Sequence, residues 1–179
     1  FVVRSDHHSP TQLRTLLDWE IAPKIRQVPG IVELNTMGGD LKEYHVVVDP
    51  ARLHAQALTL SQVAESLERA NTNVGGGYIE RSSESLTLRG VGLLQNESEI
   101  GNVVLRTAAD GTPVLVRNVA SVQVGAAMRY GVITRDGQGE AVTGTTMMLI
   151  GSNSRQVVNA VKKKVAEIAT ELPPGVKIE

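Results

Sequence analysis

The sequence predicts an α+β fold in which the two chain ends build one body and the middle stands apart as an insert. Three observations lead there. Strand, helix, strand patterning fills residues 1–48, it recurs over residues 131–179, and the stretch between them, 49–130, carries shorter helices and strands of its own. Each half-module alone leaves one sheet face bare, so the economical solution is for both ends to share a sheet and a core.

The elements follow in order. Ser9 is placed to cap a helix, Pro10 suits its first turn, and Gln12 stands where the reciprocal capping-box partner belongs. Leu13, Leu16, Leu17, Ile21, Ile25 and Val28 then form an apolar stripe that ends at Pro29-Gly30, and Pro23 within it is expected to kink or divide the helix. Residues 31–36 and 41–48 are strand-like around Met37-Gly38-Gly39-Asp40, which predicts a β-hairpin. At the other end, residues 132–135 and 141–150 flank Asp136-Gly137-Gln138-Gly139 as a second predicted hairpin, its later strand apolar enough to be central. Asn153 or Ser152 caps a last helix to about residue 170, with Val157, Val158, Val161, Val165, Ile168 and Leu172 facing inward and Lys162, Lys163 and Lys164 in water. Pro173-Pro174-Gly175 stops it and residues 176–178 add a closing strand. Two helices on one face of a mixed sheet make this body a ferredoxin-like sandwich.

In the insert, Asp49-Pro50 starts a helical turn, and Thr59 with Gln62 caps a helix carrying Leu60, Val63, Ala64 and Leu67. Residues 74–81 and 85–90 read as a ribbon, 97–102 as a helical turn, and 103–105, 114–117 and 119–124 as short strands. Val74-Gly75-Gly76-Gly77 is not followed by the lysine and hydroxyl residue of a phosphate loop and leads into a strand, so it reads as flexible backbone.

Composition narrows the function. Eighteen basic against nineteen acidic residues give a net charge of -1 without a long run of either sign, which argues against nucleic acid. The absence of cysteine excludes a disulfide framework and a thiolate metal site. No apolar run is long enough to span a bilayer, and the opening Phe1 leads us to expect a piece of a longer protein. Asp6-His7-His8 brings two imidazoles and a carboxylate together as a candidate zinc, copper or nickel site, although neighbours on an extended segment point apart and a wet loop before the helix explains them as well. Met128 is a candidate soft-metal ligand, or simply a filler; Met147-Met148 falls in the presumed central strand. Without a nucleophile elbow, and with Glu80, Glu84, Glu97 and Glu99 in polar stretches, neither an enzyme nor a cofactor is expected.

The strings VPGIVELNTMGGDLKEYHVVVDPARL (28–53), LTLSQVAESLERANTNVGGGYIER (58–81), DGTPVLVRNVASVQVG (110–125) and TGTTMMLIGSNSRQVV (143–158) resemble the resistance-nodulation-division efflux permeases. The resemblance covers essentially the whole chain and favours the heavy-metal branch, the cobalt-zinc-cadmium and copper-silver exporters. It implies a proton-driven pump for a heavy-metal cation, with this piece on the periplasmic face of the inner membrane of a Gram-negative bacterium. Residues 1–48 and 131–179 would be the second N-terminal porter subdomain and residues 49–130 a docking subdomain. The implied partners are the rest of the permease, homotrimer neighbours, a periplasmic adaptor and an outer-membrane channel. By similarity the ribbon over residues 75–89, with Gly77, Tyr78, Ile79, Glu80 and Arg81, would contact the neighbouring protomer, although its tip Ser82-Ser83-Glu84 is short. Also by similarity, Met128 falls near a periplasmic metal cleft, while the main substrate ligands and proton-relay carboxylates lie elsewhere. The competing readings are a stand-alone metal or small-ligand sensor of ferredoxin-like shape and an enzyme built on Asp6, His7 and His8.

Overall fold

A computed structural model describes all residues except Ser83 and Gln138, which fall in the predicted turns at 82–84 and 136–139. The coordinates divide into two compact units, Phe1–Glu43 with Ala126–Glu179, and Tyr44–Gly125.

The first unit is built on β1 (Val2–Arg4), α1 (Pro10–Leu16), α2 (Ala22–Arg26) and β2 (Ile31–Met37), then, after the insert, β9 (Val142–Met148), α7 (Ser154–Ala169) and β10 (Lys177–Ile178). Strand order is β10-β1-β9-β2 and every ladder is antiparallel, not mixed, giving the βαββαβ arrangement of a ferredoxin-like sandwich. Ser9 and Gln12 form the reciprocal capping box at Pro10, and Asn153 caps α7 by accepting from the Gln156 N–H.

Pro23 divides the first helix as its chemistry requires. A π-helical segment, Leu17–Ile21, separates α1 from α2, the Ala22 N–H reaches back to the Leu17 carbonyl, and Pro23 enters the first turn of α2, where its missing N–H is harmless. The wider turn also keeps the stripe aligned. Leu13, Leu17, Ile21 and Ile25 are spaced by four, which on a pure α-helix drifts about 40° per step; the π segment turns it back, and the last three are fully buried. They pack with Val3, Leu34, Val142, Ile168 and Val176 into one core. Of the residues expected inward on α7, Val157 and Ile168 are buried and Val165 and Leu172 pack on the core, but Val158 is half exposed.

Neither predicted hairpin forms as such. β2 pairs with β9 (Met37 opposite Thr143, Leu34 opposite Thr146), while β3 (Lys42–Val48) pairs with β8 (Ala120–Ala126). Gly38 and Gly39 do adopt positive φ, +75° and +67°, yet for a tertiary reason: a Cβ on Gly38 would sit 2.0 Å from the Ala141 carbonyl oxygen. Among the described residues around 136–139 the pairing is an isolated bridge between Thr134 and Glu140, and Leu149 and Ile150 lie beyond β9 in solvent.

The second unit contains α3 (Pro50–Ala55), α4 (Leu60–Ala70), β4 (Val74–Arg81), β5 (Glu84–Gly90), α5 (Glu97–Gly101), β6 (Val104–Thr107), β7 (Pro113–Leu115) and α6 (Val116–Val119) between β3 and β8. Its core gathers Leu58, Val63, Val103, Val114, Val116, Val119 and Ala120. Where strand was expected through 114–124, α6 intervenes: Asn118 Oδ1 accepts from the Leu115 N–H at 2.7 Å, and the resulting turn points Val116 and Val119, three apart, into the same core. Of the apolar residues that α4 carries, Leu60 and Ala64 are exposed, and the helix meets the core through Val63, Leu67 and Ala70.

Leu17→Ala is expected to cost about 2–5 kcal/mol in urea unfolding, because Leu17 is fully buried, whereas Leu60→Ala at a 63% exposed position should stay within about 0.5 kcal/mol. A pH effect follows from the ion pair of Lys24 on α2 with Glu171, 2.5 Å apart. The hydrogen bond from Lys24, and then its charge, hold the Glu171 carboxyl below its ordinary 4.5. The folded form therefore binds this proton more weakly than the unfolded one. The pair's stabilisation is present above about pH 4.5 and lost as pH falls through the lowered value. Thermal scans of Lys24→Gln and the parent chain should differ near neutrality and converge in acid.

Candidate functional site

The chain leaves the ferredoxin-like body just after Gly38-Gly39-Asp40 and returns at residues 126–130, and a charged clasp holds these two passages together. Arg129 is 3.0 Å from Asp40 Oδ1 through Nε and 2.6 Å from Glu140 Oε1 through Nη1. Thr11 donates to the other Asp40 oxygen at 3.3 Å, Arg14 donates to the Gly38 carbonyl at 2.9 Å and pairs with Asp18 at 2.7 Å, and the Ala127 N–H meets the Leu41 carbonyl at 2.9 Å. The hydrogen bond that Arg129 donates to Glu140, reinforced by the charge of Asp40, raises the Arg129 pKa further, so this guanidinium is a permanent cation. Met128, its neighbour, is 80% exposed and offers a thioether to solvent.

The histidine cluster is a local loop. Asp6 and His7 are exposed, the His7 N–H donates to Ser5 Oγ at 3.2 Å, and His8 Nδ1 lies 3.0 Å from the same hydroxyl, an interaction that occupies His8 internally. Among the described residues no group of three His, Cys, Asp or Glu side chains is gathered to hold a metal. Met128 and His7/His8 belong to different segments, and nothing in the geometry joins them.

The ribbon β4–β5 is exposed at every described position. Its register sets Ile79 opposite Leu86 and Tyr78 opposite Thr87, with a bulge between Gly75 and Gly77, where Gly77 has φ +82°. By alternation Ile79, Leu86 and Leu88 share one face and Tyr78 takes the other. A two-stranded ribbon showing such side chains to water is marginal by itself.

A further surface lies between α7 and the sheet: a groove of about 530 Å³ lined by Phe1, Ile31, Met148, Val158, Val161 and Val165 among others. Sequence reading missed both the groove and the Arg129 clasp. The inward stripe on α7 was visible, but that part of it would remain uncovered was not, and nothing local links Asp40 to Arg129.

The architecture is that of one segment of a much longer protein of known structure. The chain overlays a crystal structure of a heavy metal efflux pump (crystal form II) with a TM-score of 0.79 and 28% identity, over 98% of this chain and 17% of that one. A family model described as the AcrB/AcrD/AcrF family matches residues 1–179, and the chain belongs to that family. The cobalt-zinc-cadmium resistance protein CzcA of Cupriavidus metallidurans is 44% identical over 171 residues, covering 96% of this chain and 16% of its own. Protein HelA of Legionella pneumophila is 44% identical over 173 residues, 97% of this chain and 16% of its own. The cation efflux system protein CusA of Escherichia coli is 37% identical over 177 residues, 99% and 17% respectively. This chain thus spans about a sixth of the length of these curated relatives. The heavy-metal resistance-nodulation-division resemblance drawn from the sequence is borne out. No helix among the described residues is long and apolar enough to cross a membrane.

If the clasp secures the two passages, Arg129→Gln and Asp40→Asn should each accelerate hydrogen exchange at the Ala127 amide. The double variant should add little to either single one, since both remove the same contact.

Proposed function

We propose that this chain is a periplasmic segment of a proton-driven heavy-metal cation efflux permease anchored in the inner membrane of a Gram-negative bacterium. The observation that carries the reading is identity of 37–44% across nearly the whole chain to CzcA and CusA, proteins named for cobalt-zinc-cadmium resistance and cation efflux. Residues 1–48 and 131–179 act as a porter subdomain and residues 49–130 as a docking subdomain. The porter sandwich moves as a rigid body against its neighbours and opens and closes a cleft for the ion, with no covalent chemistry. The docking subdomain holds the permease to a periplasmic adaptor and an outer-membrane channel.

The exposed ribbon supports the trimer part of this reading. Gly77, Tyr78, Ile79, Glu80 and Arg81 lie on a strand with no covered position, as a contact with a neighbouring protomer would need. Exposure of the Met128 thioether supports a passing contact with a soft cation such as Cu(I) or Ag(I), which is cargo here and not a resident cofactor. His7 and His8 are weaker candidates for the same ion, since His8 is engaged by Ser5. A stand-alone sensor gains no support, because relatives of about six times the length carry this segment within a larger chain.

The test is metal tolerance of a Gram-negative strain that lacks its own exporters and expresses the complete permease with its adaptor and channel. Tolerance to at least one heavy-metal cation is expected, and its absence for every cation would end the proposal. Met128→Leu should lower tolerance to silver or copper by about tenfold while sparing zinc and cobalt, because a branched alkane keeps the volume and removes the sulfur ligand.

A further inference from the structure

The ribbon β4–β5 is not aimed by packing. Every described position of it is exposed, and none of its side chains belongs to the core of the second unit. Its direction is therefore set at its root, where the chain leaves α4 at one side and returns through residues 91–95 at the other.

The ladder of the ribbon closes with Val74 opposite Gly90. Beyond that pair, two asparagine side chains take over from the main chain. Asn73 Oδ1 accepts from the Gly92 N–H at 3.1 Å, and Asn71 Oδ1 accepts from the Leu94 N–H at 3.0 Å. Two amides two positions apart are thus held by two acceptors two positions apart, as rungs would hold them. Both sides of this clamp are fixed to the body. Asn71 ends α4 with its N–H bonded to the Leu67 and Glu68 carbonyls, Thr72 Oγ1 donates back to the Glu68 carbonyl at 3.2 Å, and Leu94 packs on the core. Gly92 lets the two runs approach this closely, since a Cβ there would lie 2.4 Å from the Thr72 carbonyl oxygen.

We propose that Asn71, Asn73 and Gly92 are positioning residues that aim the ribbon at the neighbouring protomer and so set the strength of the subunit contact. This role rests on the ribbon being the intersubunit arm described above. An arm with no covered side chain carries any looseness at its root out to its tip. Strand β4 reaches on the order of 20 Å, so a tilt of about 10° at the root moves the tip by about 4 Å, enough to unseat a side chain such as Ile79 or Leu86. The clamp uses Oδ1 alone. Aspartate, which presents an acceptor oxygen at the same place, should therefore replace either asparagine, and alanine should not.

The complete permease, purified in detergent, provides the test. Asn71→Ala combined with Asn73→Ala should speed hydrogen exchange at the Gly92 and Leu94 amides, and subunit dissociation on dilution, by about fivefold each. The Val116 amide, bonded to the Val103 carbonyl in the core of the same unit, should exchange at the parent rate. Asn71→Asp combined with Asn73→Asp should restore both parent rates, and Gly92→Ala, which keeps both asparagines, should behave as the alanine pair does. Equal acceleration at Val116 means that the whole unit is weakened, and failure of aspartate to restore means that the acceptors are not what matters; either result overturns the proposal. Ile79→Ser combined with Leu86→Ser tests the arm itself. Faster dissociation with this pair but not with the alanine pair overturns the positioning role and leaves the arm standing. Parent dissociation rates with both pairs mean that the ribbon makes no subunit contact, and the reading beneath the proposal is overturned with it.

Discussion

Strand β2 reaches β9 only because the whole intervening insert returns to where it started. Thr143 and Met37, 106 positions apart, face each other across that ladder, and Thr143 also donates to the Met37 carbonyl. Closing a flexible loop of that length costs about 4 kcal/mol of chain entropy, before a single β2–β9 contact contributes anything. Contacts at the neck of the loop share in offsetting this cost. β3 pairs with β8, Ala127 bonds to Leu41, and Arg129 grips Asp40, so the two passages lie side by side next to the β2–β9 ladder. The second unit has its own core of Val63, Val103, Val116 and Val119.

The same neck explains which parts of the fold were legible. Capping chemistry is local, so Ser9 with Gln12 and Thr59 with Gln62 could be placed from sequence alone and form as read, and of the two candidates Asn153 and Ser152 it is Asn153 that caps α7. Strand pairing is not local. Met37-Gly38-Gly39-Asp40 has the composition of a hairpin turn, yet its glycines exist because Ala141, Pro10 and Val142 crowd their Cα atoms from distant parts of the chain. A rule that joins consecutive strands had no means of seeing that β2 and β3 diverge into separate sheets. The helical turn at Val116–Val119 was hidden for a related reason: its valines favour strand, and only the Asn118 hydrogen bond to Leu115 and a shared core turn them.

Candidate site residues were the least legible, because surfaces acquire meaning from what covers them. All four methionines, Met37, Met128, Met147 and Met148, are between 39% and 80% exposed, against the usual burial of this residue. Periodicity marks a methionine as apolar but does not say whether its partner lies in the same domain. The ribbon β4–β5 poses the same question, since Ile79, Leu86 and Leu88 have the character of a core and none is buried.

The π segment that accommodates Pro23 has an outcome for anyone handling this protein. It directs Leu17 and Ile21 inward and leaves Trp19, the sole tryptophan of the chain, 77% exposed. An indole already in water has little environment to lose, so its emission will report unfolding faintly. Circular dichroism of the helices is the more responsive signal.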